Sequence, residues 1–194
     1  MKTKLTCEDN MNLMARYPDN YFDLAIVDPP YGDGTIKGRN TTLDKNWNFK
    51  PDKEYFTELF RVSKNQIVWG GNYFDLPINK HFVIWDKKQF MNNQFARCEY
   101  AWSSLRYNAN IFQCFYNSDH RMHPTQKPVK LYQWLLQNYA KPGDKILDTH
   151  LGSMSIAIAC YKEGFDLTGC EIDREYYDAG MKRLEQAMAQ QELF

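Results

Sequence analysis

Short runs of apolar residues recur along the chain, and polar or amphipathic stretches separate them. Runs of about four to eight apolar residues between turn signals are typical of strands buried in a parallel sheet. The sequence predicts strands at 5–7, 22–27, 66–69, 82–85, 99–103, 111–116, 145–148 and 165–171. The strands at 99–103 and 111–116 are expected near a sheet edge, where antiparallel pairing is open.

Between the strands, apolar residues recur at helical spacing. The pattern predicts a short helical stretch through residue 14 and longer helices at 51–63, 129–139, 153–163 and 174–190. One stripe of the last helix carries Tyr177, Met181, Leu184 and Met188, as in a helix packed against a sheet. Strands that alternate with helices indicate an α/β fold with a doubly wound, mostly parallel sheet and helices on both faces.

Composition narrows the class of protein. The 194 residues suffice for one α/β domain with a sizeable core. Lysine plus arginine equal aspartate plus glutamate at 24 each, so a nucleic-acid partner needs local basic patches, because there is no global positive field. No segment approaches the ~18 apolar residues of a membrane span, and residues 1–12 lack the apolar block of a signal peptide.

Cysteine usage indicates the redox compartment. The five cysteines are scattered, odd in number and never in a Cys-x-x-Cys pair: Cys7, Cys98, Cys114, Cys160 and Cys170. This usage favours reduced core residues over a zinc site or a disulfide framework. The sequence therefore predicts a cytoplasmic protein without a metal.

Four residues at the end of the predicted strand 22–27 are the strongest candidates for chemistry: Asp28, Pro29, Pro30 and Tyr31. Open α/β sheets bind ligands at the carboxyl ends of their strands. The prolines remove two backbone donors and leave carbonyl acceptors. A planar base with an exocyclic amino group fits this set, with its amino hydrogens on Asp28 and the Pro29 carbonyl and its ring on Tyr31. The alternative is a strand followed by an ordinary turn.

A second candidate site follows the predicted strand 145–148. Asp148 ends that strand, a tight turn with Gly152 leads to a helix at Ser153, and Glu171 ends the next strand. An acid at the tip of the second strand suits ribose hydroxyls. The chain has neither a full dinucleotide fingerprint nor a triphosphate loop, so the site suits a nucleoside without pyrophosphate. A sulfonium cofactor fits, because Asp148 can face its positive amino-acid end; the alternative is an ordinary strand–helix turn with a solvated Asp.

A third motif, His-Pro-Thr-Gln-Lys-Pro at 123–128, precedes the helix predicted at 129–139. It offers hydroxyl, amide and backbone groups close to a helix amino terminus, where a carboxylate can bind. By itself the motif is only a helix entry, and His123 alone is more typical of a surface histidine than of a catalytic base.

Together these motifs resemble the amino-methyltransferases of DNA in their permuted, β-group order, in which the catalytic block precedes the cofactor block. The resemblance runs from about residue 5 to about residue 189. It implies a seven-stranded-type methyltransferase sheet in a single domain, 1–194. Within that domain the catalytic block covers about 5–116, the cofactor block about 120–189 and a short tail 190–194.

The resemblance also assigns roles to individual residues. It makes Asp28, Pro29, Pro30 and Tyr31 the catalytic motif. It makes Glu171 the ribose acid and places Asp9 near the adenine of the cofactor. The remaining cofactor-binding residues that it implies are His123, Thr125, Gln126, Lys127, Asp148, Gly152 and Ser153.

The segment after Asp148 departs from the family pattern. The family has Asp-Pro-Phe and then Gly-Ser-Gly, whereas this chain has Thr149 and His150 after Asp148 and has Met154 after Gly152 and Ser153. We expect S-adenosylmethionine to bind nevertheless, because the acids and the first glycine remain.

The function that the resemblance implies is methyl transfer from S-adenosylmethionine to the 6-amino group of adenine in DNA. Adenine is favoured because Asp at the first position of the catalytic motif is the commoner adenine form in this family. N4-methylation of cytosine, the same chemistry on RNA or protein, and a catalytically inactive DNA-binding relic are the alternatives. A restriction system, a phage and an orphan regulator are equally compatible with the sequence.

Two polar segments, 32–53 and 87–106, are the expected DNA contacts. Cations hold phosphates, and amides read adenine edges. The residues assigned to this role are Lys37, Arg39, Lys87, Lys88, Asn92, Asn93 and Arg97. The alternative is a pair of solvated loops. There is little room for a separate recognition domain, so a partner or a homodimer could supply specificity.

The tail reads Gln-Gln-Glu-Leu-Phe at 190–194. It resembles the short Gln-x-x-Leu-Phe segment by which bacterial proteins dock on the replication sliding clamp. A helix end that packs on its own domain is an equally good interpretation.

Overall fold

The computed structural model describes residues 2–32, 49–88, 96–115 and 126–191, and within them the chain forms one eight-stranded sheet. The strands follow the predicted apolar runs closely. They are β1 Thr3–Cys7, β2 Leu24–Val27, β3 Gln66–Trp69, β4 Phe82–Asp86, β5 Cys98–Ser103, β6 Asn110–Gln113, β7 Lys145–Asp148 and β8 Asp166–Glu171. Their spatial order is β1-β8-β7-β2-β3-β5-β4-β6.

Five α-helices accompany the sheet in the described ranges: α1 Asn10–Met14, α2 Lys53–Val62, α3 Val129–Tyr139, α4 Ser155–Glu163 and α5 Arg174–Gln191. Two of them begin later than predicted. Helix α2 begins after Asp52, whose carboxylate accepts a hydrogen bond from the Tyr55 backbone N–H, so Pro51 precedes the helix instead of entering its first turn. Helix α4 begins after Met154, which has a left-handed backbone conformation.

The helices cover both faces of the sheet, as predicted. Side chains alternate along β2, where Leu24 and Ile26 join one buried cluster and Ala25 and Val27 join the other. Helices α3, α4 and α5 pack on the first face, and α1 and α2 pack on the second. This alternation explains why the run at 24–27 is apolar throughout, since both sides of the strand are buried.

The sheet is mostly parallel, and β5 is the antiparallel strand among those described. It pairs in that sense with both β3 and β4, as the edge prediction allowed. Strand β6 differs, since it pairs in parallel with β4. Because the connection 104–109 is short, β6 begins close to the end of β5. It therefore runs in the direction opposite to β5, which is the direction of β4. The sheet thus has the eight strands that the apolar runs predict, one more than the seven-stranded-type sheet that the resemblance implies.

Two further expectations concern membranes and cysteines. Among the residues that the structure describes, no helix has both the length and the apolar character needed to cross a membrane. The five cysteines are free thiols. Cys160 and Cys170 are buried core residues as predicted, but Cys98 is exposed, so the prediction that all five belong to the core is wrong.

Candidate active site

The two candidate sites lie side by side because β2 and β7 are neighbours in the sheet. These strands pair in parallel, with Leu24 opposite Ile146 and Ala25 opposite Leu147. Parallel neighbours end at the same edge, so the segment after β2 (28–31, here called the catalytic tip) adjoins the segment at the end of β7 (148–154, here called the cofactor loop). Strand β8, which ends at Glu171, pairs with β7 on its other side.

Asp28 is held by two donors. Its Oδ1 accepts a hydrogen bond of 3.1 Å from the Tyr31 hydroxyl. Its Oδ2 accepts one from the ammonium group of Lys127. Burial is the main influence on this carboxyl and raises the pKa of Asp28, while the Lys127 charge opposes that effect. The carboxyl oxygens are thus fixed in direction, and each retains lone pairs for further donors.

Tyr31 is the inner ring of an aromatic stack. It lies nearly parallel to Tyr73, with 4.7 Å between ring centroids and 13° between planes. Phe74 meets its edge at 6.2 Å. Burial raises the pKa of Tyr31, so its hydroxyl stays protonated and donates to Asp28.

Gly70, which has no side chain, leaves the space that the Tyr31 ring occupies. A Cβ atom at this position would lie 2.1 Å from Tyr31 Cε1, and the backbone has φ +66°. Both the space and the backbone angle therefore require glycine. Tyr73, which is 48% exposed, was missed by sequence reasoning. The signal was present in the run Gly-Gly-Asn-Tyr directly after β3, the strand that neighbours β2.

Lys127 lies under the catalytic tip, whereas the sequence placed it with the cofactor. It is 3% exposed, and its Nζ lies 3.1 Å from an oxygen of Glu99 as well as next to Asp28. Lys87 was expected to hold a DNA phosphate from the surface. It is 8% exposed and forms a 2.7 Å ion pair with Glu99, so it is not a solvent-facing cation.

Asp148 and Glu171, the two buried acids of the second site, accept hydrogen bonds from backbone N–H groups of the turn. Asp148 is 2% exposed, and its Oδ1 accepts the His150 backbone N–H at 2.9 Å. Burial raises the pKa of Asp148 to about 8. The Glu171 carboxylate accepts the backbone N–H groups of Gly152 at 2.8 Å and of Asp173 at 2.9 Å. The turn is therefore anchored to the tip of β8.

These acids fit the nucleoside cofactor that the sequence implies. Asp148 is a nearly fully buried carboxyl, and a cation beside it would favour its ionised form. Each Glu171 oxygen keeps a lone pair that a ribose hydroxyl could use after the backbone bonds are made. The acceptor chemistry of these two acids therefore matches a ribose next to a positively charged group.

Thr149 and His150, which replace the family's Pro-Phe, build a hydrogen-bond chain. Asn10 Nδ2 lies 3.2 Å from His150 Nε2, and His150 Nδ1 lies 2.9 Å from Thr149 Oγ1. Thr149 Oγ1 is 2.7 Å from the Tyr55 hydroxyl. Burial lowers the pKa of His150 to about 3, so the ring is neutral. Since the Asn10 amide donates, the proton sits on Nδ1 and is donated to Thr149.

Met154 occupies the position of the family's second glycine and keeps a glycine-like backbone. Its φ is 60°, in the left-handed region, and its side chain is fully buried. Gly180 of α5 makes room for that side chain, because a Cβ there would lie 2.5 Å from Met154 Cγ and 3.1 Å from the Gly152 carbonyl oxygen.

Two predicted cofactor residues have structural contacts of their own. The Ser153 hydroxyl lies 3.1 Å from that of Ser155, and the Ser153 carbonyl accepts a hydrogen bond from Arg183. Ser153 is therefore joined to α4 and α5. The Asp9 side chain caps α1 by accepting the Met11 N–H at 2.8 Å. A role for Asp9 near the cofactor remains a prediction.

The other predicted contacts divide into two groups. Lys88 and Arg97 are exposed, and they flank the end of β4 and the start of β5 at the same sheet edge as the catalytic tip. Gln126 is partly buried next to Lys127. Six predicted residues lie outside the described residues: Lys37, Arg39, Asn92, Asn93, His123 and Thr125. The structure describes helix α5 as far as Gln191, so most of the predicted clamp-binding tail also lies outside.

Comparison with known proteins agrees with this geometry. Residues 38–182 match the model of the N6/N4 methyltransferase family, described as DNA methylase. YubD of Escherichia coli K12 is 26% identical over 91% of this chain and 87% of its own length. The type II methyltransferase M.HpaI of Haemophilus parainfluenzae is 24% identical, over 95% and 75% respectively. The DNA adenine methyltransferase YhdJ of E. coli K12 is 23% identical, over 92% and 81%.

Solved structures share the fold. The complex of M1.HpyAVI with S-adenosylmethionine has a TM-score of 0.66 at 18% identity, covering 94% of this chain and 98% of that one. The cytosine-N4-specific PvuII DNA methyltransferase also has a TM-score of 0.66, at 13% identity, covering 97% and 91%. One similar structure thus contains the cofactor that the second site fits.

Proposed function

Because this chain belongs to the N6/N4 family of DNA methylases, we propose that it transfers a methyl group from S-adenosylmethionine to the 6-amino group of adenine in DNA. The pairing of β2 with β7 is the observation that carries the proposal. It brings the catalytic tip, which would accept hydrogen bonds from an amino group, next to the cofactor loop, whose acids suit a nucleoside with a positive charge, at one edge of the sheet.

The catalytic tip would act on the amino nitrogen of the base. An aromatic amine is a poor nucleophile because its lone pair is delocalised into the ring. Hydrogen bonds from the amino group to Asp28 and to the Pro29 carbonyl would draw the nitrogen towards tetrahedral geometry and localise that pair. The rate gain would come from positioning and preorganised electrostatics. No covalent enzyme intermediate is required.

The cofactor loop would orient the methyl donor. Glu171 is suited to the ribose hydroxyls, and Asp148 is suited to the positive amino-acid end. When bound, the cofactor supplies a methyl group on a sulfonium centre that is open to direct displacement. The burial of both carboxyls strengthens these interactions, because charges interact more strongly away from water.

The target base would have to leave the duplex to reach Asp28. Extrusion costs a few kcal/mol, and stacking on an aromatic ring returns ~1–3 kcal/mol per base. Tyr73 covers one face of Tyr31, so the base would stack on the opposite face. Lys88 and Arg97 would hold the DNA backbone at this edge, and Lys37, Arg39, Asn92 and Asn93 stay proposed contacts from the sequence.

Adenine is proposed over cytosine for two reasons. The catalytic motif begins with Asp28, the commoner adenine form in the family, and YhdJ, which aligns over most of the chain, is named as an adenine enzyme. N4-methylation of cytosine is the second candidate, because the acceptor geometry would accept either amino group and the PvuII enzyme shares the fold.

Transfer of a tritiated methyl group from the cofactor tests the proposal. DNA, RNA and protein substrates are offered separately, and the labelled DNA is digested to nucleosides. We expect label in DNA as N6-methyldeoxyadenosine, and we expect Asp28→Ala to remove it. Label in N4-methyldeoxycytidine, label only in RNA or protein, or undiminished transfer by Asp28→Ala would each contradict the proposal.

The proposed partners follow from the same function. DNA is the proposed substrate, a homodimer could supply sequence specificity, and residues 190–194 would dock on the sliding clamp. The proposal includes a cytoplasmic location, where free thiols stay reduced. Deletion of residues 190–194 should abolish binding to purified clamp and leave methyl transfer to short duplexes unchanged. Equal clamp affinity of the truncated protein would remove the clamp from the proposal.

A further inference from the structure

Four charged side chains of alternating sign form a chain under the catalytic tip. Asp28 pairs with Lys127, Lys127 lies 3.1 Å from Glu99, and Glu99 lies 2.7 Å from Lys87. Counted for the side chains alone, the exposed fractions are 16% for Asp28, 2% for Lys127, 24% for Glu99 and 11% for Lys87. The four formal charges cancel, which is the arrangement that buried charges require.

The members of this chain come from separate elements. Asp28 follows β2, Lys87 follows β4, Glu99 belongs to β5, and Lys127 precedes α3. Lys127 therefore connects the catalytic tip to the antiparallel strand of the sheet. Its ammonium also lies 5.2 Å from the centroid of the Trp69 ring, so it is held from three sides and cannot turn towards solvent or a phosphate without breaking these contacts.

Asp28 depends on this ammonium to act as an acceptor. A protonated carboxyl would present a donor to the amino group and lose the acceptor site that its proton occupies. Burial favours that protonated form, and Lys127 opposes it. The other titratable groups that influence Asp28 are Tyr31, which donates to it, and Glu99, whose charge favours its protonation.

The wider surroundings of Asp28 carry two more titratable groups. Asp148 at the tip of β7 and Tyr132 of α3 each interact electrostatically with it. Burial raises the pKa of each and so favours their neutral forms. Lys127 is therefore the cation that balances Asp28 among the described residues in its immediate contact.

Glu99 limits how strongly Lys127 binds Asp28. If the Lys127 ammonium paired with Asp28 alone, it would occupy the acceptor sites of that carboxylate and compete for them with the amino group of the base. Because Lys127 is shared with Glu99, each carboxylate receives part of its charge, and Lys87 balances Glu99 from the other side. The ammonium groups outweigh burial at Glu99, so the pKa of Glu99 lies below its usual value and Glu99 stays ionised.

We propose that Glu99 and Lys127 are positioning residues for methyl transfer. Lys127 keeps the Asp28 carboxyl anionic and fixed in direction. Glu99, whose charge Lys87 balances, prevents Lys127 from occupying all the acceptor sites of Asp28. This inference rests on the proposed function. It assigns to Lys127 a role under the catalytic tip, and to Glu99 a role that sequence reasoning did not include.

The proposal makes opposite predictions for the two residues. Lys127→Met leaves Asp28 and Glu99 as neighbouring buried carboxylates, so the acidic limb of the kcat–pH profile should move to higher pH. Glu99→Gln removes a negative neighbour and leaves Lys127 to Asp28 alone, so that limb should move to lower pH while the plateau falls. We expect plateau losses of about 10²-fold for Lys127→Met and about tenfold for Glu99→Gln, as for loss of electrostatic preorganisation.

A merely structural role would not give opposite shifts. Lys127→Arg keeps the charge and should retain the wild-type limb. Lys64→Met is the matched control, because Lys64 forms an exposed ion pair with Asp23 at the opposite edge of the sheet, and its profile should be unchanged. Shifts in the same direction, or no shift, in folded Lys127→Met and Glu99→Gln would overturn the proposal. If Lys127→Met does not fold, the shift to lower pH in Glu99→Gln decides alone.

A titration of the Asp28 carboxyl carbon by nuclear magnetic resonance separates this proposal from the proposed function. It needs no substrate. The pKa of Asp28 should rise in Lys127→Met and fall in Glu99→Gln whether or not the wild-type protein methylates DNA. Wild-type protein without methyl transfer would refute the function, whereas an unchanged Asp28 titration in an active enzyme would refute the positioning role.

Discussion

The catalytic tip and the cofactor loop follow neighbouring parallel strands and meet at one edge of the sheet, yet they match their family in different ways. The catalytic tip keeps the full family motif from Asp28 to Tyr31. The cofactor loop keeps Asp148 and Gly152 but differs at Thr149, His150 and Met154.

The difference shows what each segment must preserve. The catalytic tip works through particular atoms, a carboxylate, a carbonyl and a ring, so a change of residue changes the chemistry. The cofactor loop works through backbone shape. Met154 holds the left-handed conformation that glycine would adopt, and Gly180 supplies the space that its side chain needs. New side-chain contacts can therefore replace the family residues while the shape is retained.

The largest expected effect separates the two segments directly. Asp28→Asn keeps the size of the side chain but removes an anionic acceptor, so kcat should fall about 10²–10³-fold. The affinity for S-adenosylmethionine should stay within a factor of about two, because Asp28 lies in the other segment. Methyl transfer and calorimetric binding are measured on the same preparation, with the substitution Asp178→Asn at an exposed position of α5 as control. A comparable loss of cofactor affinity would show that the segments are not separable.

The next effect concerns the charge of Asp148. Because burial raises its pKa to about 8, Asp148 is protonated in the cofactor-free protein at pH 7, and a positively charged ligand favours its ionised form. Cofactor binding should therefore release a proton. The affinity should rise with pH, by up to about tenfold per pH unit, until about pH 8 and then level off.

Calorimetry in two buffers of different ionisation enthalpy counts this proton. Asp148→Asn, which cannot ionise, should bind more weakly and release none. Proton release that is identical in Asp148→Asn and wild type would assign it to another group. A cofactor affinity that is independent of pH between 6 and 8 would contradict a protonated Asp148.

A smaller effect tests the pairing of Met154 with Gly180. Gly180→Ala places a Cβ against Met154 and the Gly152 carbonyl, and overpacking of this kind costs about 1–3 kcal/mol. In a Met154→Gly background the 2.5 Å contact with the Met154 side chain is removed and the 3.1 Å contact with the Gly152 carbonyl remains. Gly180→Ala should therefore cost less in this background than in the wild type. Urea unfolding of the four proteins of this cycle measures the coupling. Additive effects would mean that the two residues are independent.

A last effect, of similar size, tests the hydrogen-bond chain of the cofactor loop. Tyr55→Phe and Thr149→Val each leave a buried partner unsatisfied and should each destabilise the protein by about 1–3 kcal/mol. The double variant removes both groups and should cost less than the sum of the single changes. A cycle without coupling would show that the 2.7 Å contact between the two hydroxyls contributes nothing to stability.

The sequence predicted the parts of the fold that depend on local pattern. Both faces of β2 were read from its unbroken apolar run, and the helix stripe with Tyr177 and Leu184 from its spacing. The parallel pairing of β6 could not be predicted, because it depends on β6 lying beyond β4 instead of beside β5. The late start of α4 was also hidden, since it follows from the left-handed backbone of Met154.

The site shows the same division. The motifs located Asp28, Asp148 and Glu171 at strand ends, because a strand's end can be read from its residues. The burial of Lys87 and Lys127 could not be read, since it depends on Glu99 and on contacts between elements distant in sequence. A lysine next to a polar loop looks like a surface cation until its partner is known.

The most direct test of the proposed methyl transfer is to determine a crystal structure of this protein bound to a DNA duplex and an inert cofactor analogue. It locates the amino nitrogen of the target base relative to Asp28 and Pro29. We predict an extrahelical adenine with this nitrogen within hydrogen-bond distance of an Asp28 oxygen and the Pro29 carbonyl, and with the analogue between Asp148 and Glu171. A base bound elsewhere, or a catalytic tip too far from the analogue for direct methyl transfer, would contradict the account.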